Sequence, residues 1–162
     1  MTLAALVVLA HALGGLVFVA GLIGRWLTLG AARADDLPSV KPVLRAADPL
    51  ERIVMVGSIL VLGLGIAAAI AVGRPFLGPL QGGSVDWLFT SLVLFLSLVP
   101  LLPLVFVPRG RAFAAALADA ETRAEFTPEL RAAFRDPVVR AAHLYELTVV
   151  SAILILMLTK PF

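Results

Sequence analysis

The sequence predicts an all-α integral membrane protein, built as a four-helix bundle with a short cytoplasmic helical insertion between helices three and four. Four apolar runs of roughly 20 residues, the length that crosses a hydrocarbon core of about 30 Å, fill most of the chain. Hydrophobic residues make up 60% and charged residues 15% of its 162 positions, which departs from the usual composition of a soluble domain. Because lipid accepts contiguous apolar surface and water does not, we expect a single four-span domain over residues 1–162.

The predicted spans are separated by connections of different character. They cover about residues 3–25, 51–73, 87–108 and 138–159, and a charged, alanine-rich stretch at about 110–136 forms the cytoplasmic helical insertion. Helices two and four each open at an Asp-Pro pair, Asp48-Pro49 and Asp136-Pro137, in which the aspartate caps the helix and the proline takes its first position. This shared opening indicates either a duplicated helix pair or a cap that suits any helix entering from the cytoplasm.

Further prolines shape the second half of the chain. Thr127-Pro128 predicts the start of a short helix inside the insertion. Pro100 and Pro103 remove backbone donors from helix three and should bend it. Such a bend widens the bundle on that side.

Basic residues are divided unequally among the connections. Of the 13 lysines and arginines, all but Arg74 and Lys160 flank the first and third connections. By the positive-inside rule these two connections are cytoplasmic. We therefore expect a multi-pass protein of the cell membrane, here a bacterial inner membrane, with both termini on the outer side.

Composition and motifs narrow the function further. The chain has no cysteine, which excludes disulfides, iron–sulfur clusters and zinc sites built on thiolates. No Walker loop, nucleophile elbow, HExxH helix or dinucleotide fingerprint occurs, so we assign no catalytic residue and favour a role other than that of an enzyme. The net charge of +2 is small, and the expected partner is the lipid bilayer and not nucleic acid. A homo-oligomer or a larger membrane complex stays open.

Few polar groups lie within the predicted spans, and those in helix four are the sharpest signal. His143 and Glu146 are three residues apart, which places them on one helix face. An acid at the centre of a span costs commonly +2.5–3.5 kcal/mol, so such a group faces the bundle and marks function. We predict a polar relay of Glu146 and Arg140; the alternative is a structural acid bonded to His143, Tyr145 or Arg140.

Helix one carries the second candidate site. His11, Gly14, Phe18 and Gly21 follow a spacing of three to four residues and share one stripe with Arg25. An imidazole beside positions without side chains is what haem b requires inside a helical bundle. The alternative is a histidine that only hydrogen-bonds a neighbouring helix.

The two histidines are predicted at different depths in the membrane. At 1.5 Å per residue, His11 and His143 lie about 15 Å apart in depth, which disfavours one haem between them. The same arithmetic places Met55 of helix two at the depth of His143. A His143–Met55 pair is chemically suited to haem or copper, so the identity of any metal or cofactor stays open, with haem b as the most specific candidate.

Both ends of the chain resemble a known family. The run His11-Ala12-Leu13-Gly14-Gly15, then Phe18 and Ala20-Gly21, with the closing run Leu156 to Phe162, is similar to the predicted integral membrane proteins of domain of unknown function 2269 across the four-span layout. The helix-one pattern resembles, more remotely, the copper-resistance D type membrane proteins and the haem-binding bacterial protoporphyrinogen oxidase. That similarity would imply His11 as a haem ligand. This chain differs from the oxidase in having no lysine within a span.

Two functions follow as hypotheses. One is a small polytopic membrane protein that binds haem b or another redox cofactor in the bundle through His11, Gly14, Phe18, Gly21, Met55 and His143. The other is a cofactor-free accessory subunit or a carrier of a small solute, with Glu146 and His143 as its polar relay.

The orientation is directly testable. A reporter enzyme that works only in the cytoplasm should be inactive when it is fused after Phe162, because the partition of arginine places that end outside. The same reporter inserted after Ala124 should be active. An active fusion at Phe162 would reverse the orientation.

Overall fold

The computed structural model describes residues 2–30 and 36–162, in which all regular structure is helical. The helices are α1 (Leu3–Gly30), α2 (Leu37–Val72), α3 (Trp87–Leu96), α4 (Val107–Arg123), α5 (Pro128–Phe134) and α6 (Pro137–Thr159). A short 3-10 helix, Gly78–Gln81, precedes α3, and a π-helical turn, Leu102–Phe106, precedes α4. Three stretches are long and apolar enough to cross a membrane: α1, α2 and the stretch Pro128–Thr159, which contains α5 and α6. The all-α prediction is confirmed.

The third predicted span is a broken helix. Instead of running from 87 to 108, α3 ends at Leu96 and is followed by turns and the π-helical segment before α4 begins at Val107. Pro100 and Pro103 lie in this interruption, where each lacks a backbone donor. The prolines thus lie where the helix is interrupted, and the predicted bend and widening stay predictions. α3 is too short to count among the spanning helices.

The predicted opening of α2 at Asp48 is wrong. Asp36 caps α2 instead, accepting a hydrogen bond from the Ser39 N–H at 2.8 Å, and Pro49 lies inside the helix. The Asp48 carboxylate accepts from Arg52 Nη2 at 2.7 Å, an i,i+4 pair on the helix surface, and therefore does not cap the backbone.

The corresponding openings of the later helices are confirmed. Asp136 accepts from the N–H groups of Val138 and Val139 at the start of α6. Thr127 accepts from the Leu130 N–H at the start of α5. Of the two Asp-Pro pairs only the second starts a helix, so the pairs give no support to a duplicated helix pair.

α1 and α2 form a closely packed pair. A Cβ built on Gly24 would lie 3.2 Å from Leu50 Cδ2, and one built on Gly57 would lie 3.3 Å from Phe18 Cβ. Glycine at these contact points lets the two helices approach closely. We call these helices the first pair.

The second pair consists of α6 and the broken helix that packs against it. It meets the first pair over a short region, in which a small apolar core gathers Phe18 and Leu22 of α1, Val54 of α2 and Val150 of α6. The ring of Phe95, from α3, lies 6.3 Å from that of Phe18. The apolar core shared by the two pairs is therefore small.

The charged stretch at 110–136 holds α4 and α5, so the predicted helical content of the insertion is confirmed. The Leu130 side chain in this stretch is fully enclosed, as is Val40 on the N-terminal extension of α2. Lys41 of α2 and Glu121 of α4 form an ion pair at 3.0 Å. The extension of α2 is thereby tied to the insertion, whose cytoplasmic location stays a prediction.

Replacing Gly21 by alanine should destabilise the first pair. Its Cβ would lie 2.7 Å from Ile53 Cγ2, an atom that moves away only if this β-branched side chain leaves the χ1 rotamer strongly preferred in a helix. We expect a loss of about 1–3 kcal/mol, typical of overpacking, measured by thermal unfolding in detergent. Gly15→Ala, on the same helix with nothing within 4 Å of its Cβ, is the control and should not lower the midpoint. Equal behaviour of the two variants would contradict the packing.

Candidate functional site

The candidate site is a cluster of ionisable groups around Arg25, near the end of α1. The Arg25 side chain is almost completely enclosed, and the residue as a whole is 3% exposed. Its Nη1 donates to Glu51 Oε2 of α2 at 3.0 Å, and its Nη2 donates to Glu146 Oε2 of α6. One guanidinium therefore binds carboxylates from both helix pairs. We call Arg25, Glu51, His143 and Glu146 the arginine cluster.

His143 completes the cluster from the same face of α6 as Glu146. Its Nδ1 lies 3.1 Å from Glu146 Oε2 and 3.1 Å from Arg25 Nη2. Both α6 side chains are mostly buried, so the prediction that they point into the bundle is confirmed.

The basic partner of Glu146 differs from the predicted one. Arg140, proposed for the relay, lies exposed at the start of α6, and Arg25 occupies the position against the carboxylate. Sequence reasoning took Arg25 as a residue that flanks the end of span one. The sequence did contain a signal for the role of Arg25. Arg25 lies on the same helical stripe as His11, Phe18 and Gly21, which indicates that its side chain faces the bundle and not the lipid headgroups.

The broken third helix supplies an aromatic cover for the cluster. Phe106, the last residue of the π-helical turn, stacks on His143 with ring centroids 5.0 Å apart and an interplanar angle of 28°. The Arg25 guanidinium carbon lies 5.6 Å from the centroid of the same ring, within the range of a cation–π contact. The interruption at Pro100 and Pro103 thus precedes the residue that shields the cluster.

The cluster combines one cation with two acids. The enclosed guanidinium faces the carboxylates of Glu51 and Glu146, and the Glu146 and His143 side chains are themselves mostly buried. Glu51 is the exception to this enclosure, because its side chain is 52% exposed. Arg25 Nε is buried and has no hydrogen-bond partner among the described residues.

The His11 stripe is covered by α2. His11 Nδ1 lies 3.1 Å from the Val61 carbonyl oxygen, and a Cβ built on Gly65 would lie 3.0 Å from His11 Cε1. Built Cβ atoms on Gly14 and Gly21 would likewise meet α2, at Leu64 and Ile53, and Phe18 is buried in the apolar core. The groove predicted beside His11 is therefore filled by side chains of the neighbouring helix.

Met55 lies apart from the cluster's contacts. The residue is 51% exposed on α2, whereas the contacts of His143 are with Arg25, Glu146 and Phe106. Within residues 2–30 and 36–162, no three His, Asp or Glu side chains are arranged to hold a metal ion. The predicted His143–Met55 pair is a hypothesis that these contacts do not support.

Long apolar helices around one enclosed ionic cluster define a helical integral membrane protein. The chain belongs to the family of predicted integral membrane proteins DUF2269, whose model matches residues 5–161. The resemblance drawn from the two chain ends is thereby confirmed. No curated protein and no solved structure matches the chain.

Replacing Arg25 by glutamine should destabilise the fold strongly. The change leaves two carboxylates without their cation, and breaking a buried ion pair by removing one partner costs about 3–5 kcal/mol. Thermal unfolding in detergent measures the loss. Arg52→Gln, which removes an exposed arginine from its pair with Asp48, is the matched control and should have little effect.

A second substitution separates electrostatics from packing. Glu146→Gln in the Arg25→Gln background removes one of the stranded charges, so the double variant should be more stable than Arg25→Gln alone. Additive losses would show that the two side chains do not interact.

Proposed function

We propose that this protein is a cofactor-free carrier that moves a small solute across the membrane together with a proton, and that the arginine cluster binds the proton. The observation that carries the proposal is the contact of one enclosed arginine of α1 with a carboxylate of α2 and with a carboxylate and a histidine of α6. Intramembrane acids paired with histidine are the usual components of proton relays in transporters.

The hydrogen bonds of Arg25 fall into two groups, those within the first pair and those that cross to the second pair. Its bond to Glu51 lies within the first pair, whereas its bonds to Glu146 and His143 cross to the second. A proton on Glu146 removes the negative charge from the crossing bond and leaves the bond to Glu51 intact. Protonation therefore weakens the attachment between the pairs selectively.

This selectivity supports a carrier in which the two pairs move against each other. Rigid-body rocking of one helix bundle against another is a common basis of alternating access. The apolar core shared by the two pairs is small, so little packing has to be exchanged. The Glu51 side chain is 52% exposed, and in this proposal it takes up the proton from the aqueous side. In this proposal the broken stretch 87–108 crosses as the fourth span, and the cluster faces the cytoplasm.

The direct test is proton movement in proteoliposomes that contain a pH-sensitive dye. A panel of amino acids, carboxylates, sugars and amines is added outside, and at least one should drive an internal pH change. Glu146→Gln should abolish it, because an amide cannot take up the proton. Glu129→Gln, on the exposed surface of α5, is the control and should keep it. Failure of the whole panel would leave the role of an accessory subunit.

Haem b at His11 is the other function predicted from the sequence. The residues around His11 do not fit a macrocycle as they stand, because α2 covers the stripe and the imidazole faces the Val61 carbonyl. We therefore expect the purified protein to be colourless, with no Soret band before or after reduction by dithionite. A Soret band that disappears in His11→Ala would reinstate the haem hypothesis and contradict the cofactor-free carrier.

A further inference from the structure

At the opposite end of the bundle from the arginine cluster, two cations converge on one indole ring. Trp87, the first residue of α3, is 9% exposed. The guanidinium carbon of Arg74, just after α2, lies 5.6 Å from its ring centroid, and Lys160 Nζ, just after α6, lies 5.5 Å from it. Three separate parts of the chain thus meet at this ring. We call Arg74, Trp87 and Lys160 the tryptophan site.

The two cations lack an acidic partner. Within the described ranges, neither Arg74 nor Lys160 forms an ion pair. Asp86 directly precedes Trp87 in the sequence, but its carboxylate caps α3 by accepting a hydrogen bond from the Phe89 N–H at 2.9 Å. Neither cation is neutralised by a carboxylate of the described residues, so an anion at the level of the ring would be attracted by both.

The sequence contributes no other basic residue to this end. The connection between α2 and α3 contains Arg74 as its sole lysine or arginine, and Lys160 is the last basic residue of the chain. They are far apart in sequence, yet both are directed to Trp87. Lys160 also adopts a left-handed backbone conformation, φ 45°, at the C-cap of α6. Glycine is the usual occupant of that position because it carries no steric penalty there.

We infer that the tryptophan site binds the phosphate group of an anionic membrane lipid. Arginine and lysine are the side chains that recognise phosphate, and tryptophan at a helix end anchors at the level of lipid headgroups. Apolar side chains for the acyl chains lie close by in the sequence, since Leu158 and Val85 are both exposed. Those exposed groups favour a lipid phosphate over free phosphate. The inference does not depend on the carrier proposal.

Tryptophan fluorescence tests this site. The chain has two tryptophans, so Trp26→Phe leaves Trp87 as the sole reporter. Phosphatidylglycerol titrated into this detergent-solubilised variant should change the emission at lower concentration than phosphatidylcholine does. Arg74→Gln and Lys160→Gln should each weaken the binding about fivefold, the usual contribution of one basic residue near an anionic surface.

Control variants test whether the charge at the site determines the affinity, and a competition experiment distinguishes lipid phosphate from free phosphate. Arg74→Lys retains the charge and should retain most of the affinity, whereas Arg140→Gln, an exposed arginine at the other end of α6, should not change it. Equal affinity for phosphatidylglycerol and phosphatidylcholine, or unchanged affinity in both glutamine variants, would overturn the inference. Inorganic phosphate that competes as well as the lipid would also overturn it, by assigning the site to the free ion.

Discussion

The enclosed guanidinium of Arg25 is the group on which the arrangement of the helices depends. A cation in an apolar surrounding is tolerated only when carboxylates or other acceptors neutralise it. Glu51 supplies one such group from the neighbouring helix, and Glu146 with His143 supplies the others from α6. Phe106 can cover the cluster because the third helix is interrupted before it. The same contacts therefore fix the position of α1, α2, α6 and the broken helix.

Local signals in the sequence predicted what depends on local physics. Asp136 and Thr127 satisfy backbone donors within three residues, and Pro100 and Pro103 lack a donor wherever they are placed, so these effects were foreseeable. The shared face of His143 and Glu146 followed from helix periodicity. Asp48 shows the limit of this reasoning, because its carboxylate binds Arg52 and the helix continues through Pro49.

Tertiary contacts account for the parts that the sequence did not predict. Arg25 and Arg140 are both arginines near a helix end, and only the packing of α1 against α6 decides which of them meets Glu146. The glycines beside His11 suited a ligand and a neighbouring helix equally well in the sequence. The structure fills their groove with α2, since close helix packing uses the same small residues.

In the proposed carrier, the bonds of Arg25 to Glu146 and His143 hold the two helix pairs together, and a proton on Glu146 weakens this attachment. Because the chain has no cysteine, spin labels can be attached to Arg45→Cys on α2 and Arg140→Cys on α6, both exposed. Double electron–electron resonance in lipid nanodiscs then measures the distance between the two labels, one on each helix pair. We expect one narrow distance distribution at neutral pH when Glu146 is retained, and a longer or broader distribution in Glu146→Gln. An identical distribution in both proteins would contradict this expectation.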